Sequence, residues 1–157
     1  MSSQQPAGLP QHIGLSIELV EGSRTELVLK VGTSRLQCVL VPDDPEFFTG
    51  SRYHGPAHTL DRWICELERL PAEDRVMLPF NFSDQCTGWL RVTAIGEGLV
   101  EVQAGWSNLG EYEFDPKEFP LVARDLPDFA PVRNALVKRP LADIVAAVTA
   151  SRDNFIN

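Results

Sequence analysis

The sequence lacks paired cysteines, long apolar runs and an excess of basic residues. Its three cysteines, Cys38, Cys65 and Cys86, are far apart and form no Cys-x-x-Cys pair, which is typical of free thiols in a reducing compartment. No apolar run approaches the roughly 18–20 residues that cross a bilayer, and the polar N-terminus has no signal-peptide pattern. These absences predict a cytoplasmic protein that does not enter a membrane.

Basic residues are the scarcer charged type. Fourteen Lys and Arg stand against 22 Asp and Glu, so the formal net charge is -8. Because phosphate contacts depend on clustered cations, we expect no nucleic acid ligand. An acidic surface favours basic protein partners, although it also serves simply to keep a protein soluble.

Motifs of nucleotide and acyl-transfer chemistry are also missing. Neither Gly-x-Gly-x-x-Gly, Gly-x-x-x-x-Gly-Lys nor Gly-x-Ser-x-Gly occurs. His54 and His58 have the spacing of two metal ligands on one helix face, but Gly55 and Pro56 between them argue against a helix there. We therefore predict no metal and no cofactor. The alternative is a small enzyme or ligand-binding domain with a pocket between helix and sheet near His54 and His58.

A length of 157 residues with 43% hydrophobic residues fits one domain. Residues 1–12 are predicted as a flexible tail, and residues 13–157 as a single domain. The strongest helical pattern runs from Thr59, a suitable N-cap, to Leu70. Its apolar residues at i, i+3, i+4 and i+7 are Leu60, Trp63, Ile64 and Leu67. This stripe must be covered, and the alternating segments on either side of the helix predict a sheet that covers it.

Alternation of apolar and polar residues predicts strands before and after this helix. Pro79 places one of them at a sheet edge or a bulge. The clearest hairpin turns at Gly96-Glu97-Gly98. The predicted strands lie within residues 13–31, 35–41, 75–82, 88–95, 99–106 and 111–114.

The end of the chain has a helical pattern. Asp128 suits the N-cap of a helix with Pro131 in its first turn, ending near Lys138. Pro140 opens a second amphipathic helix, so residues 126–152 are predicted as a helical C-terminal segment that either packs on the sheet or projects from it. The predicted fold is α+β, with an antiparallel β-sheet of six or seven strands, one helix packed on a face and two C-terminal helices.

Two segments combine aromatic and acidic residues. The first is the long irregular loop over residues 42–57, and long loops are often functional. The second is the segment 106–119, whose rings either fill the core or anchor a partner while the carboxylates orient docking. The predicted partner-binding residues are Asp43, Asp44, Glu46, Phe47, Phe48, Tyr53, Trp106, Glu111, Tyr112 and Glu113.

The order of elements resembles that of small acidic immunity proteins of bacterial polymorphic-toxin systems. It comprises a pair of N-terminal strands, a Leu-rich helix, the strand Leu78-Pro79-Phe80-Asn81-Phe82 and a following meander. The resemblance is one of layout over roughly residues 13–115 and carries over no functional residue. It implies a non-enzymatic cytoplasmic protein that binds and blocks a toxin domain. A further hypothesis from the residues alone is a subunit of a larger assembly that makes contacts through its terminal helices.

Overall fold

The strands form two antiparallel sheets, so the α+β class is confirmed and the prediction of a single sheet is wrong. The computed structural model describes residues 14–23, 26–41, 54–115, 118–122 and 126–155. Within these ranges the sheet orders are β1-β2-β3 and β4-β5-β6-β7. The strands are β1 (Leu15–Leu19), β2 (Leu27–Val31), β3 (Ser34–Cys38), β4 (Arg75–Phe82), β5 (Thr87–Gly96), β6 (Leu99–Ser107) and β7 (Ala130–Pro140). The helices are α1 (His54–Glu68), α2 (Phe119–Val122) and α3 (Leu141–Asp153), with a 3-10 helix at Glu111–Glu113.

The smaller sheet is joined to both edges of the larger one. Just after β3, Val39 N–H donates to Phe80 O of β4 at 2.9 Å, and Val39 O accepts from Phe82 N–H at 3.0 Å. At the other edge, Thr33 N–H in the β2–β3 turn donates to Asn134 O of β7 at 3.1 Å. Both edge strands of the larger sheet are therefore partly covered, which limits their pairing with other chains.

Helix α1 begins earlier than the amphipathic pattern predicts. It starts at His54 and includes Gly55 and Pro56 in its first turn, where a proline removes no required hydrogen-bond donor. The predicted N-cap, Thr59, lies inside the helix, and its Oγ1 donates to Leu40 O at 2.6 Å. The predicted apolar stripe of the helix is buried.

Helix α3 packs against α1 and β1 and does not project from the fold. The buried Ser151 Oγ accepts from Ile17 N–H at 3.1 Å, so α3 covers the outer edge of β1. Arg152 Nη1 lies 2.8 Å from Asp61 Oδ1 and links α3 to α1. The amphipathic helix after Pro140 is thus confirmed.

Residues 130–140 form strand β7, so the predicted helix from Asp128 to Lys138 is wrong. β7 pairs with β6, and residues 132–135 stand opposite Ala104 alone, where the register shifts. This bulge interrupts the alternation of a strand and leaves a spacing that imitates a helix. Only the later part of the predicted helical segment 126–152 is helical.

The other strand predictions have mixed outcomes. β4 is an edge strand with a register shift between Pro79 and Asn81, as the proline predicted. β5 and β6 form the predicted hairpin, whereas Glu111–Glu113 is a 3-10 helix and not a strand. Among the described residues, no helix is long and apolar enough to span a membrane.

Candidate partner-binding surface

The structure describes only part of the predicted partner-binding set. Six of those residues lie outside the described residues: Asp43, Asp44, Glu46, Phe47, Phe48 and Tyr53. The other four lie at one end of the larger sheet, in β6 and in the 3-10 helix that follows it: Trp106, Glu111, Tyr112 and Glu113.

These four residues differ in exposure. Tyr112 is 65% exposed, and Glu113 is also exposed. Glu111 is buried, and the half-buried Trp106 packs edge-on against Phe80 with ring centroids 5.4 Å apart. Tyr112 and Glu113 are therefore accessible at the surface, while Trp106 contributes to the packing of the core.

The segment between β6 and Tyr112 is fixed to the core of the sheet by hydrogen bonds. Thr87 Oγ1 donates to Leu109 O at 2.7 Å and accepts from the buried indole N–H of Trp89 at 2.6 Å. Gly110 N–H donates to Glu113 Oε2 at 2.6 Å. The backbone before Tyr112 is thus connected to a fully buried tryptophan.

The same segment is fixed on its other side by the β4–β5 loop. Glu111 N–H donates to Ser83 O at 2.8 Å. Gly110 lies so close to this loop that a Cβ would overlap the carbonyl oxygen of Asp84. Glycine at position 110 therefore allows the two loops to meet.

Asp128, which lies just before β7, forms hydrogen bonds with the start of this segment. Asn108 N–H donates to Asp128 Oδ2 at 2.7 Å, and Ser107 Oγ donates to Oδ1 at 2.8 Å. These bonds, that of Asn108 first, stabilise the carboxylate and lower the pKa of Asp128. Asp128 thus fixes a loop and does not cap a helix, so the N-cap prediction is wrong.

We call the resulting patch the Tyr112 surface. It consists of one exposed aromatic residue and four exposed acidic residues on its own segment or on the neighbouring loops: Asp84, Tyr112, Glu113, Asp115 and Asp128. The predicted set does not include Asp84, Asp115 or Asp128, and two of these, Asp84 and Asp128, are distant from Tyr112 along the chain. The one feature of the local sequence that indicates this arrangement is Gly110, because a glycine permits the close contact between the two loops.

The alternative of a site near His54 and His58 is not accompanied by a metal site within the described residues, although both histidines lie on one helix. α1 runs through both His54 and His58, so the expectation that Gly55 and Pro56 prevent a helix there is wrong. Within the described ranges, no three His, Cys, Asp or Glu side chains are grouped to hold a metal ion. Burial raises the pKa of Cys38, which disfavours its reactive thiolate.

Comparisons of the chain with protein-family models, with curated proteins and with solved structures find no match.

Proposed function

We propose that this protein is a non-enzymatic binding module that recognises a basic protein partner through the Tyr112 surface. The observation that supports this most is a 65% exposed Tyr112 on a segment held by hydrogen bonds. Tyrosine is enriched among the residues that contribute most to protein interfaces, because its rigid ring buries a large area at low entropic cost. A ring that is already positioned also avoids part of the ordering cost of binding.

The charges around the ring indicate the chemistry of the partner. Four exposed acidic residues accompany Tyr112 in a chain of net charge -8. Such a surface attracts Lys and Arg side chains during encounter, and the tyrosine face accepts a cation–π contact once they arrive. A basic patch with at least one protruding Arg or Lys is the complementary partner surface.

We infer further that the partner is a basic toxin or effector domain, which this protein blocks by covering its surface. The layout resemblance to small acidic immunity proteins supports this choice, together with the acidic composition. The cytoplasmic location and the absence of a cofactor stay predictions that accompany the proposal.

The first test is capture of the partner. The intact protein is immobilised, exposed to lysate of its native cells at low and high salt, and the bound proteins are identified by mass spectrometry. We expect one stoichiometric basic partner whose binding weakens as salt screens the carboxylates. An affinity that is indifferent to ionic strength would contradict the proposal.

The second test assigns the surface with the purified partner. We expect Tyr112→Ala to weaken the dissociation constant at least tenfold, about 1.4 kcal/mol, and Asp84→Asn to slow association. Glu97→Gln, at the opposite end of β5, removes an exposed carboxylate outside the surface and serves as the matched control. A partner bound equally well by all three variants would place the interface elsewhere.

A further inference from the structure

A second feature, separate from the Tyr112 surface, is a solvent-open cavity beside the bulge of β7, which we call the β7 cavity. Its volume is about 540 Å³, within the range of about 300–1,000 Å³ typical of small-molecule sites. It lies between the β2–β3 turn and residues 131–136. Its lining combines polar side chains with apolar ones, among them Thr33, Gln103, Arg133, Asn134, Pro131 and Leu136.

The backbone oxygens of the bulge are already occupied. Each of the carbonyl groups of residues 132–135 accepts a hydrogen bond from a residue of β6, of β3 or of the β2–β3 turn. The pairs are Val132 O with Gln103 Nε2 (3.0 Å), Arg133 O with Ser34 Oγ (2.9 Å), Asn134 O with Thr33 N–H (3.1 Å) and Ala135 O with Gln103 Nε2 (3.2 Å). Each of these carbonyl oxygens therefore already has a hydrogen-bond donor within the fold.

Hydrogen-bond donors, in contrast, remain unused at the cavity. The Arg133 side chain is exposed, and none of the ion pairs among the described residues involves it. Within the same ranges, the side chains of Thr33 and Asn134 also make no hydrogen bond. The guanidinium of Arg133 has N–H donors and a positive charge but no acceptor, and this combination suits an anion.

One wall of the cavity depends on a left-handed residue and on a close backbone contact. Asn134 has a φ of +65°, in the left-handed region. A Cβ at Gly32 would lie 2.5 Å from Asn134 O. Asparagine tolerates this region better than most residues, and bulges at sheet edges re-aim side chains, including those next to binding sites.

We propose that this cavity binds a small organic anion. Its carboxylate or phosphate group pairs with the guanidinium of Arg133, which offers a bidentate fork of N–H donors. Its apolar part lies against Leu136, which is 40% exposed, and Pro131. The site requires no partner protein and is independent of the Tyr112 surface.

The test is an NMR titration of the full chain with hexanoate and with hexyl phosphate, using uncharged hexanamide as the matched probe. We expect saturable amide shifts at Gly32, Thr33 and Asn134 with the anions and no saturation with hexanamide. The tighter of the two anions identifies the charged group of the ligand. No saturable shift with either anion overturns the proposal.

Two variants assign the binding to Arg133. We expect Arg133→Gln to weaken the affinity for the better anion at least tenfold, as loss of a charge-assisted pair does. Arg139→Gln, on the same strand but outside the cavity lining, is expected to bind like the unmodified protein. Equal affinity of Arg133→Gln and the unmodified protein overturns the proposal, and the dispersion of the amide spectrum shows that each variant is folded.

Discussion

Gly32 lies where the β2–β3 turn meets the edge of β7. Its φ is +60°, and a Cβ there would lie 2.5 Å from Asn134 O and 3.0 Å from Leu136 O. Both oxygens belong to the backbone of a strand, so they move aside less easily than the end of a flexible side chain. Glycine at this position therefore allows the smaller sheet to join the larger one.

We expect Gly32→Ala to lower the free energy of unfolding by about 2–3 kcal/mol, because left-handed strain and backbone overlap add together. Gly22→Ala is the matched control, since Gly22 has a φ of +82° but, among the described residues, no neighbouring atom within 4 Å of a new Cβ. It should cost only about 1 kcal/mol. Urea unfolding measures both, and equal losses would show that the contact with β7 contributes nothing.

At the scale of elements, the end of β6 and the approach to β7 are tied by Asp128. Its carboxylate accepts from Asn108 N–H and Ser107 Oγ, which lowers the pKa of Asp128 below its ordinary value of 3.8. A carboxyl group with a lowered folded pKa stabilises the fold above its ordinary pKa. This contribution is lost as the pH falls through the folded value.

We therefore expect Asp128→Asn to be less stable than the unmodified protein at neutral pH, by about 1 kcal/mol or less because the group is exposed. The difference should disappear well below pH 3.8, where the native carboxyl group is also neutral. Urea unfolding across this pH range measures it. Asp84→Asn, which removes an exposed carboxylate of the same surface, controls for charge, and a constant difference at all pH values would contradict this role.

At the scale of the whole molecule, one hydrophobic core connects both sheets and the two long helices. The cluster includes Leu29 of β2, Trp63 of α1, Trp89 of β5 and Ile144 of α3. Backbone hydrogen bonds at Val39 and Thr33 further join the two sheets. Within the part of the chain that the structure describes, neither sheet has a separate core that would keep it folded alone.

We therefore expect a single cooperative unfolding transition. Tryptophan fluorescence reports on α1 and the larger sheet, whereas amide exchange at Leu29 reports on the smaller sheet. The two signals should give the same free energy of unfolding. Exchange at Leu29 through an opening of clearly lower free energy would show that the smaller sheet unfolds first.

Local pattern alone predicted much of the fold. The stripe of α1, the hairpin of β5 and β6, the edge position implied by Pro79 and the amphipathic α3 are each encoded within a short continuous window. A helix or strand that buries one face repeats its apolar residues at its own period, whatever lies opposite. Tyr112 and Glu113 were predicted as site residues for a similar reason, since aromatic and acidic residues alternate along one segment.

Tertiary structure decided what depends on contacts between distant residues. β7 is a strand because it pairs with the edge of β6. The bulge in β7 interrupts the alternation of apolar and polar residues from which the strand could have been predicted. Asp84 and Asp128 join the Tyr112 surface through loops distant in the chain, and the β7 cavity exists where the β2–β3 turn meets the bulge. Periodicity reports which face of an element is buried but not which element buries it, so strand pairing and both proposed sites required the folded chain.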